Sequence, residues 1–219
     1  NAFHYCRGEY VNKRQLADEA IRLEREICNE AGGLQDQIAV AFGGMNKILF
    51  SGNDYKVCPV MISQERKVLL KKRLMLFFTG FSRLSFKIQE KTRNRIGSRI
   101  ETLLEIKRLV DEAERILTDD KTNLDDFGRL LDYGWRLKRE INQEISTDEV
   151  DILYERAKKA GALGGKLLGA GGGGFLLLYV TPERWKEVQQ ALAGLMHVPF
   201  QFENSGTEMI YYAPDYDTG

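Results

Sequence analysis

Between Lys13 and Cys28 the apolar residues Leu16, Ala20, Leu23 and Ile27 recur at spacings of four, three and four, the period of one helical face. Ala17 and Ile21 widen that stripe on one side, and at about 100° per residue Glu24 falls inside the widened arc. Asp18, Glu19, Arg22, Arg25 and Glu26 point elsewhere. Glu24 is thus the acid this helix turns toward an apolar environment, where an unpaired carboxylate is expensive.

Gly32 and Gly33 follow, then "LQDQIAVAFGG", a short apolar segment closed by Gly43 and Gly44. "MNKILF" and "YKVCPVMI", separated by the turn-rich "SGND", predict a β-hairpin. A charged stretch, "SQERK", leads into "VLLKKRLMLFFTG". A boundary is expected near Ser63 to Lys67, dividing the chain into 1–65 and 66–219.

The middle of the chain reads as helix. Ile96, Ile100, Leu103, Lys107, Val110, Ala113 and Leu117 recur at near-heptad spacing, and Leu124, Phe127, Leu131, Leu137, Ile141 and Ile145 line a second helix. Packing between antiparallel helices accounts for both stripes. "STDE" predicts a third helix with Ser146 as N-cap and Glu149 as its capping-box partner, ended by Gly161.

Strands are expected over Gly165 to Ala170 and Phe175 to Val180, then a helix from "TPERW", then strands around Pro199 to Glu203 and Met209 to Tyr212. From Val68 the predicted order is strand, helices, strand, strand, helix, strand. That order is the split βαβ arrangement of a ferredoxin-like α/β sandwich with extra helices in its first crossover, an α+β class.

Composition narrows the function. The 32 basic and 32 acidic residues among 219 cancel, so no whole-chain field favours nucleic acid or an anionic membrane. Any anion must be held by a local site. No apolar run approaches the roughly 20 residues of a membrane helix and no signal-peptide series occurs, which predicts a soluble, cytoplasmic protein. Cys6, Cys28 and Cys58 fit neither a disulfide framework nor a zinc pattern. Asn1 opens in mid-pattern, with Ala2, Phe3 and Tyr5 resembling the end of a helix, so a fragment of a longer chain is expected.

Three features carry candidate chemistry. In "KLLGAGGGGFLLLYV" four consecutive glycines, Gly171 to Gly174, join two apolar strands, where a flexible linker would have polar flanks. Amides freed of side chains form a nest for an anion such as phosphate; a purely structural tight turn is the alternative. In "GGLQDQ", Asp36 is either a turn aspartate accepting backbone amides or a base that orients a sugar hydroxyl, with Gln35 and Gln37 able to bond a polyol or hold a carboxylate. Glu24, twelve positions earlier, suits a divalent cation, or else is a buried glutamate paired with an arginine.

Together "LEREICNEAGGLQDQIAVAFGG", "LFFTGFSRLSFKI", "LDYGWRLKREIN" and "GALGGKLLGAGGGGFLLLYV" resemble the GHMP superfamily of small-molecule kinases, and within it the D-glycero-D-manno-heptose 7-phosphate kinases. The resemblance runs through nearly the whole chain. It implies the end of the family's N-terminal lobe, of the ribosomal S5 domain 2-like type, over 1–65, and its ferredoxin-like C-terminal lobe over 66–219.

By position, the resemblance makes Asp36 the residue that takes or orients the acceptor hydroxyl proton. Glu24 becomes the magnesium-binding acid, although one more residue separates it from Asp36 than in mevalonate kinases. Gly169, Gly171, Gly172 and Gly173 become the glycine loop beside substrate and terminal phosphate, and Thr79, Ser82 and Arg83 in "TGFSR" line the substrate cleft. Arginine's planar fork suits phosphate oxygens, so Arg83 is the first choice for the phosphate of the sugar and Lys166 the second.

The implied ligands are ATP, Mg2+ and a sugar phosphate, with a homodimer allowed and neither nucleic acid nor membrane as partner. The implied reaction phosphorylates the anomeric hydroxyl of a heptose 7-phosphate. The family's P-x-x-x-G-L-G-S-S-A loop for ATP phosphates has no counterpart in these residues, so the chain as given is expected to be inactive alone. A fucokinase-like GHMP enzyme is one alternative and a non-catalytic ferredoxin-like sensing or dimerisation module another. The kinase reading requires Asp36 and the glycine corner to face one pocket.

Overall fold

Asn12 opens the first long helix by accepting a hydrogen bond from the Gln15 amide at 2.9 Å, which satisfies one of the unpaired donors of a helix start. A short helix α1 (Ala2–Cys6) precedes it. This longer helix, α2 (Lys13–Arg22), runs directly into a π turn at Leu23–Ile27, closed by the Cys28 amide on the Leu23 carbonyl at 2.9 Å. The wider turn breaks the stripe that the sequence predicts. Leu23 and Ile27 are 54% and 65% exposed, whereas Ala17 is fully buried and Glu24 is half-buried.

The computed structural model describes residues 1–30, 32–52, 54–80, 99–142, 145–169 and 173–211. These form two compact units, Asn1–Pro59 with residues 202–211, and Val60–Gln201. The division falls a few residues before the expected 65/66 position, and the chain after Gln201 returns to the first unit.

In the first unit the QDQ segment is not a bend. It is the opening turn of α3 (Gln35–Phe42), whose Ile38 and Ala41 are buried in a core with Ala17 and Tyr55. The predicted hairpin forms as β1 (Asn46–Ser51) and β2 (Asp54–Pro59), antiparallel from Asn46↔Pro59 to Ser51↔Asp54. Arg14 fastens α2 to this hairpin: its guanidinium lies 3.8 Å from the Tyr55 ring centroid and bonds the Tyr55 carbonyl at 2.8 Å and Asp54 at 2.5 Å.

The strands expected at 199–203 and 209–212 are absent from the described residues. The backbone is used otherwise. The Glu203 carbonyl accepts from Gly44 (2.8 Å) and the Thr207 amide donates to the Val40 carbonyl (3.0 Å), so this stretch straps the end of α3. Lys13 ties the strap by donating to Phe42 and Ser205 carbonyls at 2.8 and 2.7 Å.

In the second unit Ser63 accepts from the Arg66 amide (3.3 Å) and starts α4 (Gln64–Lys71). Val68, Leu69 and Leu70 are therefore helical, not the start of a strand, because the capped turn lets Leu70 and Arg66 face inward. The first strand, β3, is Leu74–Phe78. Then follow α5 (Ile100–Thr118), α6 (Asp125–Ile141), α7 (Asp148–Lys159), β4 (Gly164–Leu168), β5 (Phe175–Tyr179), a 3-10 turn at Pro182–Arg184, α8 (Trp185–Ala191) and β6 (Met196–His197).

The sheet order is β4-β5-β3-β6 with every neighbouring pair antiparallel, the ferredoxin-like arrangement read from the sequence. Met75, Phe77, Leu167, Leu176 and Leu178 pack one sheet face against Val150 and Tyr154 of α7 and Val188 of α8. Thr147, not Ser146, caps α7, accepting from Val150 at 3.3 Å; Ser146 instead donates to Asp151 at 2.5 Å. The buried residues of α5 are Leu109, Ile116 and Leu117; Leu117 belongs to the predicted stripe, whereas its Val110 is 45% exposed. Helix α6 approaches β4 through glycine, since a Cβ on Gly164 would lie 2.0 Å from the Gly128 carbonyl oxygen.

Candidate active site

The first unit holds a cavity of about 460 Å³ lined by Glu24, Asp36 and Gln37, with Leu16 and Ala20 of α2 and Thr207 of the strap. Three local features bring the polar groups together. The π turn carries Glu24, the first turn of α3 carries Asp36 and Gln37, and the Arg25 guanidinium donates to the Gly32 carbonyl in the link between them. A π turn takes up one residue more than an α turn, which sets where Glu24 falls relative to α2.

Glu24 has no arginine partner among the described residues; its carboxylate accepts a hydrogen bond from the Gln37 amide nitrogen. The other polar atom of Gln37, its Oε1, is buried without a partner among the described residues. Asp36 is exposed at the start of α3, where unpaired amides and the helix dipole favour negative charge. Gln35 is exposed and does not line the cavity.

The Glu24 and Asp36 carboxylates line one cavity and give hard oxygen donors of the kind magnesium takes. No cluster of three or more His, Cys, Asp or Glu suited to a metal occurs among the described residues, so such an ion would complete its shell with water or substrate oxygens.

In the second unit the glycine corner is described at its two ends, with Gly171 and Gly172 outside the described residues. Gly169 and Gly174 have φ of +88° and +107°, conformations that glycine adopts without the Cβ penalty. Thr79, expected to line a cleft, is instead 4% exposed and bonded to the corner. Its amide and its hydroxyl both donate to the Gly174 carbonyl at 2.9 Å, and the Gly174 amide donates to the hydroxyl at 3.1 Å. Lys166 is half-buried on β4 opposite Leu177. Ser82 and Arg83 lie outside the described residues.

Sequence reasoning missed Thr207 as part of the cavity. No local signal marks it, because it reaches α3 from the far end of the chain.

Residues 114–197, from within α5 to the end of β6, match the family model described as GHMP kinases C terminal. The second unit carries the C-terminal domain of the GHMP kinases. The chain is 33% identical over 189 residues to a D-glycero-alpha-D-manno-heptose 7-phosphate kinase of Campylobacter jejuni, covering 84% of this chain and 54% of that one. It is 33% identical over 176 residues to a bifunctional fucokinase/GDP-fucose pyrophosphorylase of Arabidopsis thaliana, covering 76% of this chain and 16% of that protein.

Among solved structures, a D-glycero-D-manno-heptose 1-phosphate kinase from Bacteroides thetaiotaomicron superposes with a TM-score of 0.71 at 26% identity, over 94% of this chain and 57% of that one. The chain thus spans about half the length of its heptose kinase relatives. No helix among its described residues is long and apolar enough to cross a membrane.

Proposed function

We propose that this chain carries the acceptor side of a cytoplasmic, ATP-dependent kinase that phosphorylates the anomeric hydroxyl of D-glycero-D-manno-heptose 7-phosphate. The observation that carries the reading is the shared cavity of Glu24, Asp36 and Gln37. A sensing or dimerisation module needs neither acid there; a phosphoryl transferase needs both an acceptor for the hydroxyl proton and oxygen donors for a cation.

The roles are assigned unit by unit. Asp36, exposed at a helix start, accepts the hydrogen bond of the attacking hydroxyl and holds its oxygen in line. Glu24, steadied by Gln37, holds magnesium, which supplies neutralisation of phosphate charge when bound. The backbone of Gly169 to Gly173 offers amides to a phosphate, and Arg83, with Lys166 second, meets the phosphate that the sugar already bears.

A fucokinase-like activity is the second reading, supported by the resemblance to the Arabidopsis fucokinase. The test uses the full-length gene product with ATP and Mg2+, comparing heptose 7-phosphate with free L-fucose, and adds Asp36→Asn. Turnover of the phosphosugar, with a loss of about 10² to 10⁴-fold in Asp36→Asn, is the expected result. Preference for the free sugar would select the second reading, and a near-normal Asp36→Asn rate would remove Asp36 from the chemistry.

A further inference from the structure

We infer that Gln37 positions Glu24 and reads the acceptor: its amide nitrogen holds the Glu24 carboxylate while its buried carbonyl oxygen takes a hydrogen bond from a hydroxyl of the sugar phosphate. The inference rests on the kinase reading above.

The orientation of this amide is fixed by its partner. A carboxylate only accepts, so the atom facing Glu24 must be the nitrogen, and Oε1 is left as the other end. That oxygen is buried and has no donor among the described residues, on a side chain that lines the cavity. Buried acceptors are seldom left unpaired, and a polar cavity supplies the missing donor when a polyol enters. Ile38 and Ala41, buried with Ala17 of α2, hold the turn of α3 that carries Gln37 against α2.

The consequence is specificity. A site with a buried acceptor discriminates strongly against an analogue lacking the matching hydroxyl, since that analogue leaves the acceptor orphaned. Asp36 serves the reacting hydroxyl, and Gln37 serves a neighbouring one.

The experiment uses the full-length gene product with D-glycero-D-manno-heptose 7-phosphate, ATP and Mg2+, comparing wild type, Asp36→Asn, Gln37→Leu and Gln37→Met. Gln37→Leu is expected to raise KM for the heptose about tenfold or more while KM for ATP stays within about twofold. Gln37→Met, of similar length and without the carbonyl, should raise the heptose KM by a like factor.

A wild-type heptose KM in Gln37→Leu overturns the inference, as does one in Gln37→Met. A merely structural role would lower the thermal midpoint of both variants and leave the heptose KM alone. Should Gln37→Leu fail to fold, Gln37→Met decides. Inactive wild type or active Asp36→Asn would mark failure of the kinase reading itself, whereas failure confined to the Gln37 variants overturns only this inference.

Discussion

The Thr79 hydroxyl and the Gly174 peptide clasp each other in both directions, at 2.9 Å from hydroxyl to carbonyl and 3.1 Å from amide to hydroxyl. The pair continues the β3–β5 ladder one step beyond Phe78↔Phe175, whose rings lie 5.3 Å apart. A threonine here therefore fixes where the glycine corner begins. Thr79→Val keeps the shape and removes the hydroxyl, leaving the half-buried Gly174 amide short of its partner. It should cost about 1–2 kcal/mol in urea unfolding, with Thr79→Ser close to wild type. Equal losses for both variants would show that the methyl group, not the hydroxyl, matters.

The glycines of the second unit separate by cause. A Cβ on Gly164 would meet the Gly128 carbonyl at 2.0 Å and the Asp132 amide at 2.7 Å, both backbone, so α6 must move off β4. Gly169 has open space around its would-be Cβ and only a positive φ to oppose a side chain. Gly164→Ala should lose about 3 kcal/mol and Gly169→Ala about 1 kcal/mol by chemical denaturation. The reverse order would mean that α6 adapts easily.

These contrasts show what the sequence could reveal. The helix stripe pointed Glu24 inward and the hairpin was readable, because both follow from local periodicity; its register, which pairs Ser51 with Asp54 inside the expected turn, was not. The sheet order was readable because crossover rules leave few alternatives. The π turn was not, since a single extra residue leaves spacing intact while rotating Leu23 and Ile27 outward. Val68 to Leu70 looked like strand because a short apolar run is ambiguous until its cap is seen. The strap at 202–211 is apolar and aromatic at Phe202 and Ile210, yet its backbone partners lie on α3, about 160 positions away, beyond any local pattern.

Arg66 is buried without an ion pair among the described residues, and its fork serves two main-chain carbonyls and the Thr122 hydroxyl instead. It donates to the Ile116 carbonyl at 3.0 and 2.5 Å and to Thr122 at 3.0 and 2.8 Å. The Ile116 carbonyl lies in the last turn of α5, the negative end of its dipole, so the cation is matched by an orphan acceptor of the helix. Arg66→Met should destabilise by about 2–3 kcal/mol, and Arg66→Lys should recover little, because an ammonium cannot span both groups. Full recovery by lysine would show that charge alone suffices.

His4 sets a pH dependence on the first unit. Its Nε2 meets Glu19 at 2.6 Å and its Nδ1 meets Glu9 at 3.0 Å, joining α1, the following loop and α2. Only the imidazolium donates from both nitrogens, so Glu19 first, then Glu9, raises the His4 pKa above its ordinary value. The same contact holds the Glu19 carboxyl below the usual carboxylate range, with help from Gln15. For the raised histidine, the stabilisation is complete below about pH 6.5 and fades as pH climbs through the folded value. For the lowered glutamate it is complete above about pH 4.3 and fades as pH falls through the folded value. The docking of α1 is thus firmest between about pH 4.3 and about pH 6.5. Proton NMR should place the His4 midpoint above that of an unfolded peptide, and Glu19→Gln should lower it. A midpoint at or below the peptide value would show that the two carboxylates do not hold the ring in solution.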